Sequence, residues 1–320
     1  MKGSKTTTAV LSQIAVQANV SLGTVSRAFN NSNQIPSETR SRIFSVARRL
    51  GFRPRVGIRN KQIALVTELP QNTVMGGSIS SLTLHICFAL SRNHIGVTMI
   101  TKECIGKLFE YWFDGVIEII RLNEHMNDLE NLNLPVIRLY DDQSDRHHTV
   151  FTNNYDTGLQ AGRYLIGKGH RKIAVIQEMD DSGQKRFEGI GVAMKEAEIN
   201  TEKALLNLSG AESLHLAAKQ LIDANCTAVW VPSEELNALK VNWLIQELAG
   251  RKVPEEISLL GSETPGISEF MRPALTTFAQ PLREMAEKAV EIVINEHLSV
   301  PRKINFPIKL IERNSVFNLK

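Results

Sequence analysis

The sequence has few cysteines, no long apolar run and almost no acidic residues near its amino-terminal end. Its three cysteines lie far apart without a CxxC pair, which argues against a disulfide framework or a cysteine-ligated metal and predicts buried thiols. No apolar run approaches the roughly 20 residues that a membrane-spanning helix requires. The start, MKGSKTTTAV, also lacks the apolar core of a signal peptide. We therefore expect a cytoplasmic protein that does not bind a membrane.

Acidic residues are scarce in one part of the chain only. Residues 1–62 hold eleven Lys or Arg and a single acid, Glu38, a net charge of +10. The remaining 258 residues hold 26 basic and 33 acidic residues, a net charge of −7. A charge run is usually a solvated face. Because this excess coincides with a compact helical pattern, it favours a polyanion-binding head on a near-neutral body.

Residues 11–30 satisfy the packing demands of a helix-turn-helix. Ala15 is the small residue that close helix packing needs, and Asn19 tolerates the positive φ of the turn. Ser21 is the expected cap of the second helix, its hydroxyl accepting an N–H two or three residues on. The shared apolar core is predicted to contain Ile14, Ala18, Val20, Val25 and Ala28.

A third helix is predicted to begin with Ser37 as its cap and to be stopped by Gly51. Its apolar stripe consists of Ile43, Ala47 and Leu50. Off that stripe, and expected on a basic surface, lie Arg40, Arg42, Arg48 and Arg49. An ordinary three-helix bundle with a basic surface is the alternative, but the charge excess favours DNA binding.

The stretch LSQIAVQANVSLGTVSRAFNNSNQIPSETRSRIFSVARRLGFRP resembles the head of the lactose-repressor (LacI/GalR) family of transcription regulators. The TVSR core, the TRxR and the LG-aromatic-xP ending all match the family. Later segments, YLIGKGHRKIAVI, KVPEEISLLG and PALTTFAQPLREMAEKAVEIVI, also resemble it. The resemblance implies an α/β fold with an N-terminal three-helix helix-turn-helix DNA-binding head. A two-lobed body of periplasmic-binding-protein type, with parallel sheets, would follow.

The pattern after residue 62 is itself typical of a parallel α/β fold, because short β-rich runs alternate with helical segments. Strands are predicted near residues 63–67, 97–101, 115–120, 136–140, 172–176, 228–231 and 257–261. A helix is predicted over about residues 281–294, and the first lobe is trimmed so that its helix around residues 107–113 should be short.

The resemblance divides the chain into three parts. Residues 1–54 would form the helix-turn-helix DNA-binding domain, 55–61 a short hinge linker, and 62–320 the effector-binding and dimerisation domain. Lobe 1 would comprise about residues 62–153 and 281–303, and lobe 2 about 154–278 and 306–320.

Gly23 is an unusual choice for the first turn of the second helix, where it costs roughly 1 kcal/mol relative to Ala. The resemblance places it, with Leu22, where the recognition helix faces base edges. Gly23 would let the backbone approach DNA, Leu22 would pack on a thymine methyl, and Arg27 would be the main polar base reader. Thr24 and Ser26 would hold phosphates. The full set predicted here is Ser21, Leu22, Gly23, Thr24, Ser26, Arg27 and Asn30.

The linker, PRVGIRNKQIALV, is about six residues shorter than the family's usual form, with Gly57 where the family has an intercalating Leu. Either Val56 or Ile58 takes over the intercalation, or the hinge never forms an ordered helix. Phosphate contacts are expected in both cases from Arg53, Arg55 and Arg59.

In the cleft, Arg186 in RFEG matches the family's RLxG and is the first candidate effector contact. Its guanidinium suits a hydroxyl pair, a carboxylate or a phosphate. Resemblance also places Asn154, Glu234 and Glu263 at the cleft, each acid being longer than the family's by a methylene. Trp230 could stack on a sugar face, although its position inside an apolar strand favours the core.

Three other functions are alternatives to a regulator that responds to a small effector. An enzyme is disfavoured because there is no P-loop, GxSxG or HExxH, so we expect no catalytic residue, metal or cofactor. A sugar-transport protein fits the body and not the basic head. The third alternative is a regulator whose altered cleft has lost its small effector and which responds to a protein partner or to nothing. We expect instead a homodimeric repressor on a near-palindromic double-stranded DNA operator, controlled by a carbohydrate effector in the interlobe cleft.

Overall fold

The computed structural model describes residues 3–29, 34–52, 61–67, 77–119, 134–140, 145–177, 180–209, 211, 213–232, 237–248, 250–295 and 300–320. The chain forms two compact units. Unit 1 comprises Met1–Gln71, Leu82–Phe151 and Arg283–Ile304, and unit 2 comprises Asn72–Ser81, Thr152–Leu282 and Asn305–Lys320. Each unit is therefore assembled from separate stretches of the sequence.

Unit 1 begins with a three-helix head consisting of α1 (Gly3–Gln17), α2 (Leu22–Phe29) and α3 (Ser37–Arg49). Local signals set its turns. Ser21 Oγ accepts the N–H of Thr24 at 3.1 Å, as predicted for the cap of α2. Asn19 has a φ of 49° in the turn, and Gly51 has a φ of 64° just after α3. These two residues tolerate the left-handed conformation better than β-branched or bulky ones do.

Two expectations for α3 are wrong. The cap position of α3 is Pro36, with no side-chain hydrogen bond, and Ser37 is instead the first helical residue. Arg40 and Arg48 are buried, so the exposed arginines of this helix are Arg42 and Arg49. The buried surface of α3 is wider than one apolar stripe, because α3 also packs on residues around Trp112 in addition to α1 and α2.

The remainder of unit 1 is built on a six-stranded sheet, sheet A, in the order β11-β5-β4-β3-β1-β2. Its strands are β1 (Gln62–Val66), β2 (Gly96–Ile100), β3 (Gly115–Glu118), β4 (Val136–Leu139), β5 (His148–Phe151) and β11 (Lys303–Asn305). The pairs from β2 through β5 are parallel. The other elements of this part are α4 (Ser78–Arg92), α5 (Lys107–Glu110), α11 (Leu282–Asn295) and a 3₁₀ turn at Lys102–Cys104. As predicted, α5 is short.

Unit 2 contains a second six-stranded sheet, sheet B, in the order β12-β10-β9-β8-β6-β7. Its strands are β6 (Ile173–Val175), β7 (Leu205–Asn207), β8 (Ala228–Val231), β9 (Ser258–Ser262), β10 (Thr276–Ala279) and β12 (Lys309–Ile311). Only β12 runs antiparallel, against β10, among the strand pairs with a described register. The helices are α6 (Asn154–Gly167), α7 (Asp181–Glu196), α8 (Thr201–Ala204), α9 (Leu214–Asp223) and α10 (Asn237–Glu247), with a 3₁₀ turn at Ser268–Phe270.

Helices α6 and α7 approach each other at backbone distance. A Cβ added at Gly158 would collide with the carbonyl of Arg186, and one at Gly189 would collide with the carbonyl of Tyr155. Glycine is required at these positions because any side chain would separate the helices. Their close packing brings the start of α6 beside Arg186.

The α/β architecture with parallel sheets and an N-terminal helix-turn-helix is confirmed. All seven predicted strands overlap observed ones. The sequence pattern missed β5, β7, β10, β11 and β12, several of which are only three residues long.

Candidate DNA-binding surface and effector site

Helix α2 has one buried and one open side. Val25, Ala28 and Phe29 are buried, and they pack into an apolar cluster with α1 and α3. The predicted contact residues lie on the other side of the helix. Ser21, Leu22, Gly23, Ser26 and Arg27 are exposed and Thr24 is partly exposed. A short helix with one open, largely polar side and a positive charge can enter a DNA groove.

Hydrogen bonds fix the side chains at the beginning of α2. Ser21 Oγ lies 2.8 Å from Thr24 Oγ1, and Arg27 Nε donates to the carbonyl of Gly23 at 3.3 Å. Among the described residues, a Cβ added to Gly23 would meet only Ser21 Oγ, at 3.8 Å, which is ordinary van der Waals contact. Packing among these residues therefore gives no reason for glycine at this position.

Some predicted site residues lie outside the described part of the chain. In the head and linker these are Asn30, Arg53, Arg55, Val56, Ile58 and Arg59, and in the body Glu234.

A polar cluster occupies the carboxyl end of sheet B in unit 2. Arg186 on α7 is 3% exposed. Its Nε donates to Asn154 Oδ1 at 2.9 Å and its Nη1 to the carbonyl of Pro232 at 3.0 Å. Pro232 directly follows β8, so the guanidinium is fixed beside the carboxyl end of that strand. Ligands of open α/β sheets bind at this edge.

Two further side chains at this edge were not predicted. Asn237 at the start of α10 donates to the carbonyl of Val231 and accepts from the N–H of Ser262 at 3.1 Å. It thereby joins the ends of β8 and β9. Gln177, just after β6, donates through Nε2 to the carbonyl of Gly183 at 2.6 Å. An amide after each strand was the available sequence signal, but amides are also common in loops.

None of the described contacts joins Glu263 to Arg186. It follows β9 and forms a two-bond ion pair with Arg313, at 2.8 and 3.0 Å. Thr277 Oγ1 also donates to Glu263 Oε2. Arg313 donates in addition to the carbonyl of Leu275 at 2.6 Å. Such a bidentate pair fixes both side chains, so Glu263 ties β10 to the carboxy-terminal segment of the chain.

The stacking hypothesis for Trp230 is wrong. Its side chain is 0% exposed and lies in the apolar cluster between α6, α7 and sheet B. Since neither ring face reaches the surface of unit 2, Trp230 is a core residue.

Unit 1 contains a buried ion pair that was not predicted either. Arg138 Nε on β4 lies 2.8 Å from Glu118 Oε2 on β3, and both side chains are almost fully buried. The residues are register partners on adjacent parallel strands. They lie toward the carboxyl ends of their strands, and buried charges persist only when they are paired. The signal was a charge inside each of the apolar runs GVIEII and VIRLY.

None of the described helices is both long and apolar enough to cross a bilayer. Within the same ranges, no group of three or more His, Cys, Asp or Glu side chains could hold a metal ion.

Two stretches of the chain match known protein families. Residues 10–55 match the family described as bacterial regulatory proteins, lacI family. Residues 163–316 match the family described as periplasmic binding protein-like domain.

Individual relatives match along nearly the full chain. The HTH-type transcriptional regulator DegA of Bacillus subtilis (strain 168) is 27% identical over 332 residues, covering 94% of this chain and 96% of DegA. The structure of the transcriptional regulator CelR–cellobiose complex has a TM-score of 0.68 at 23% identity, covering 95% and 99% of the two chains. The lac repressor dimer bound to operator and the anti-inducer ONPF has a TM-score of 0.68 at 20% identity, covering 95% and 98%. At these identities the two solved structures establish a shared fold.

Proposed function

The chain belongs to the LacI family of bacterial regulatory proteins, and from this premise we propose that it is a repressor whose α2 reads operator DNA. The observation that carries the proposal is the open side of α2, where Leu22, Gly23, Ser26 and Arg27 are exposed together. In the proposed division, residues 1–54 bind DNA, 55–61 link, and 62–320 bind effector and dimerise.

Arg27 is the test residue for this proposal, because its long donor side chain is exposed on α2. A bidentate contact to guanine contributes about 1–3 kcal/mol of discrimination. Arg27→Gln should therefore weaken operator binding by about tenfold or more and relax preference at one base pair of each half-site. Fluorescence anisotropy with systematically varied duplexes measures both effects. Arg163→Gln, which removes an exposed arginine from unit 2, is the matched control. Equal affinities for the two variants would overturn the role of α2.

We further propose that a small effector binds at the polar cluster of unit 2. Asn154 and Pro232 hold the Arg186 guanidinium in one orientation, and a preorganised fork recognises a hydroxyl pair or a carboxylate. The relative CelR was solved with cellobiose, which supports a carbohydrate as the first class to test. Isothermal titration against sugars and nucleotides, with operator affinity measured in parallel, separates this proposal from its alternative. Intact operator binding with no binder in either class would favour a regulator that answers to a protein or to no small effector.

A homodimer is proposed from an exposed apolar face of unit 1. Leu84 and Phe88 lie one helical turn apart on α4, and Phe88 is 65% exposed. Met99 on the edge strand β2 is exposed as well. Apolar side chains exposed in this way are typical of an interface, and a two-fold interface uses the same patch on both copies. Phe88→Glu should shift the sedimentation coefficient to that of a monomer, while Trp243→Glu, at an exposed site in unit 2, should not. A dimeric Phe88→Glu protein would refute this interface.

A further inference from the structure

The core of the three-helix head includes a side chain from outside the head. Trp112 follows α5, far along the chain in the sheet A part of unit 1, and is only 3% exposed. It belongs to the same apolar cluster as Ile14, Val25 and Phe44. The centroid of its ring lies 5.2 Å from that of the Phe29 ring and 5.5 Å from that of the Phe44 ring, and both pairs are edge to face. Such aromatic pairs contribute beyond their buried area.

Arg48 makes a second connection at the same place. This α3 side chain is 6% exposed, and its Nη2 donates to the carbonyls of Leu108 and Tyr111 at 3.2 and 3.3 Å. Its guanidinium also lies over the Trp112 ring, 5.4 Å from the centroid. Burial lowers the pKa of Arg48 to about 10, yet the group stays charged at neutral pH. A charge buried in this way needs the two carbonyls and the ring to offset its lost hydration.

The segment that makes these contacts is anchored in the sheet A part of unit 1. We call residues 107–113 the docking segment. Leu108 and Phe113 belong to the apolar cluster around β1 and β3, together with Val66 and Val116. Adjacent residues, Trp112 and Phe113, thus enter two different cores. Because these two residues are adjacent in the chain, the core of the head and the core around β1 and β3 are joined directly at this point. The linker is not needed to hold the head on this part of unit 1.

The docked head keeps its DNA-facing side open. Leu22, Gly23 and Arg27 are exposed while Trp112 is buried. A second arginine, Arg40, lies with its guanidinium 5.3 Å from the ring centroid of Tyr111 in the docking segment. The contacts with the docking segment therefore involve α3 and the buried side of α2, and they leave the open side of α2 free for a ligand.

We propose that the docking segment holds the DNA-binding head through Trp112 and Arg48, so that the sheet A part of unit 1 sets the orientation of α2 by direct packing. Docking is the state of the free protein and persists on DNA. The shortened linker agrees with this arrangement, because a head held by packing needs no long ordered hinge. The docking itself does not depend on the proposed repressor function.

Fluorine NMR on full-length protein containing 5-fluorotryptophan tests the docking directly. The chain has three tryptophans, and Trp112→Phe assigns the Trp112 resonance. Trp230, fully buried, and Trp243, 47% exposed, are internal references. The change in fluorine chemical shift between H2O and D2O reports the solvent exposure of each ring. We expect this change to be the same for Trp112 as for the buried Trp230, with and without operator. A shift like that of Trp243 in either state would overturn the proposal.

Substitutions at two neighbouring arginines distinguish the effect of losing the docking contacts from the effect of losing a positive charge. Arg48→Met keeps the aliphatic stem but loses the bonds to the docking segment, whereas Arg49→Met removes an equal charge from an exposed residue bonded to Gln17. Arg48→Met should move the Trp112 resonance toward Trp243-like exposure and weaken operator binding about tenfold more than Arg49→Met, because a free head must be reoriented on binding. Circular dichroism checks that the head helices persist in both variants. Equal resonances in the two variants, or tighter operator binding by Arg48→Met, would overturn the proposal; the second result would mean that docking is inhibitory.

Discussion

Gly23→Ala should make this protein more stable and a poorer DNA binder. Within the part of the chain that the structure describes, the added Cβ would meet only Ser21 Oγ, at 3.8 Å, so the substitution is sterically neutral there. Alanine is favoured over glycine in a helix by roughly 0.5–1 kcal/mol, largely because it restricts the unfolded chain. The expected gain in the free energy of unfolding is of this size.

The same methyl group should be costly on DNA if Gly23 lies against base edges. A methyl forced into a closely packed interface costs about 1–3 kcal/mol, and 1.4 kcal/mol is a factor of ten in affinity. We therefore expect operator affinity to fall by about tenfold or more. Denaturant unfolding and fluorescence anisotropy on the same preparation measure the two quantities.

Gly191 supplies a matched control for Gly23. It lies within α7 of unit 2, and its added Cβ would also meet a single atom of the described residues, Leu205 Cδ2 at 3.8 Å. Gly191→Ala should give a similar gain in stability without a change in operator affinity. If Gly23→Ala gained stability and bound operator as well as Gly191→Ala, the close-approach explanation of Gly23 would be refuted.

Three other outcomes are expected. Operator affinity should fall steeply with salt, with a log–log slope of about −5 or steeper, because each phosphate contact contributes about −0.9; a flat titration would contradict a phosphate-based interface. Arg186→Met should lower the free energy of unfolding by about 1–3 kcal/mol, because the carbonyl of Pro232 loses its donor, and abolish the effector response while operator binding persists; Arg163→Met, at an exposed site, should do neither. Burial lowers the pKa of His170 below its ordinary value, so its contribution to stability is present above about pH 6.5 and is lost as the pH falls toward the folded pKa. Denaturant unfolding at pH 7 and pH 5 should therefore show a smaller acid-induced loss of the free energy of unfolding for His170→Gln than for wild type, and equal losses would contradict this assignment.

Local chemistry made most of the fold predictable. The left-handed turn at Asn19, the cap at Ser21 and the stop at Gly51 depend on residues within a few positions, and all three are observed. Apolar runs located seven of the strands for the same reason, because a buried strand needs a continuous apolar stretch. Ser37 shows the limit of this approach: it was expected as the cap, but the cap position is Pro36 and Ser37 is the first helical residue.

Contacts between distant residues could not be predicted in this way. Arg48 and Arg49 are neighbours with the same chemistry, and only the position of the docking segment makes one of them buried. Likewise, Glu263 matches a cleft acid in sequence, but in the structure it is paired with Arg313. The partner of each group is set by tertiary packing, which one sequence does not specify pair by pair.

Selection of DNA in vitro from a random pool, with the full-length protein, tests the central claim most directly. Two α2 helices in a dimer should enrich a near-palindromic site with two half-sites, and the spacing of the half-sites reports the separation of the heads. The account predicts such an inverted repeat, with recovery that falls as salt rises. Recovery of DNA without any enriched sequence, or of no DNA at all, would contradict it.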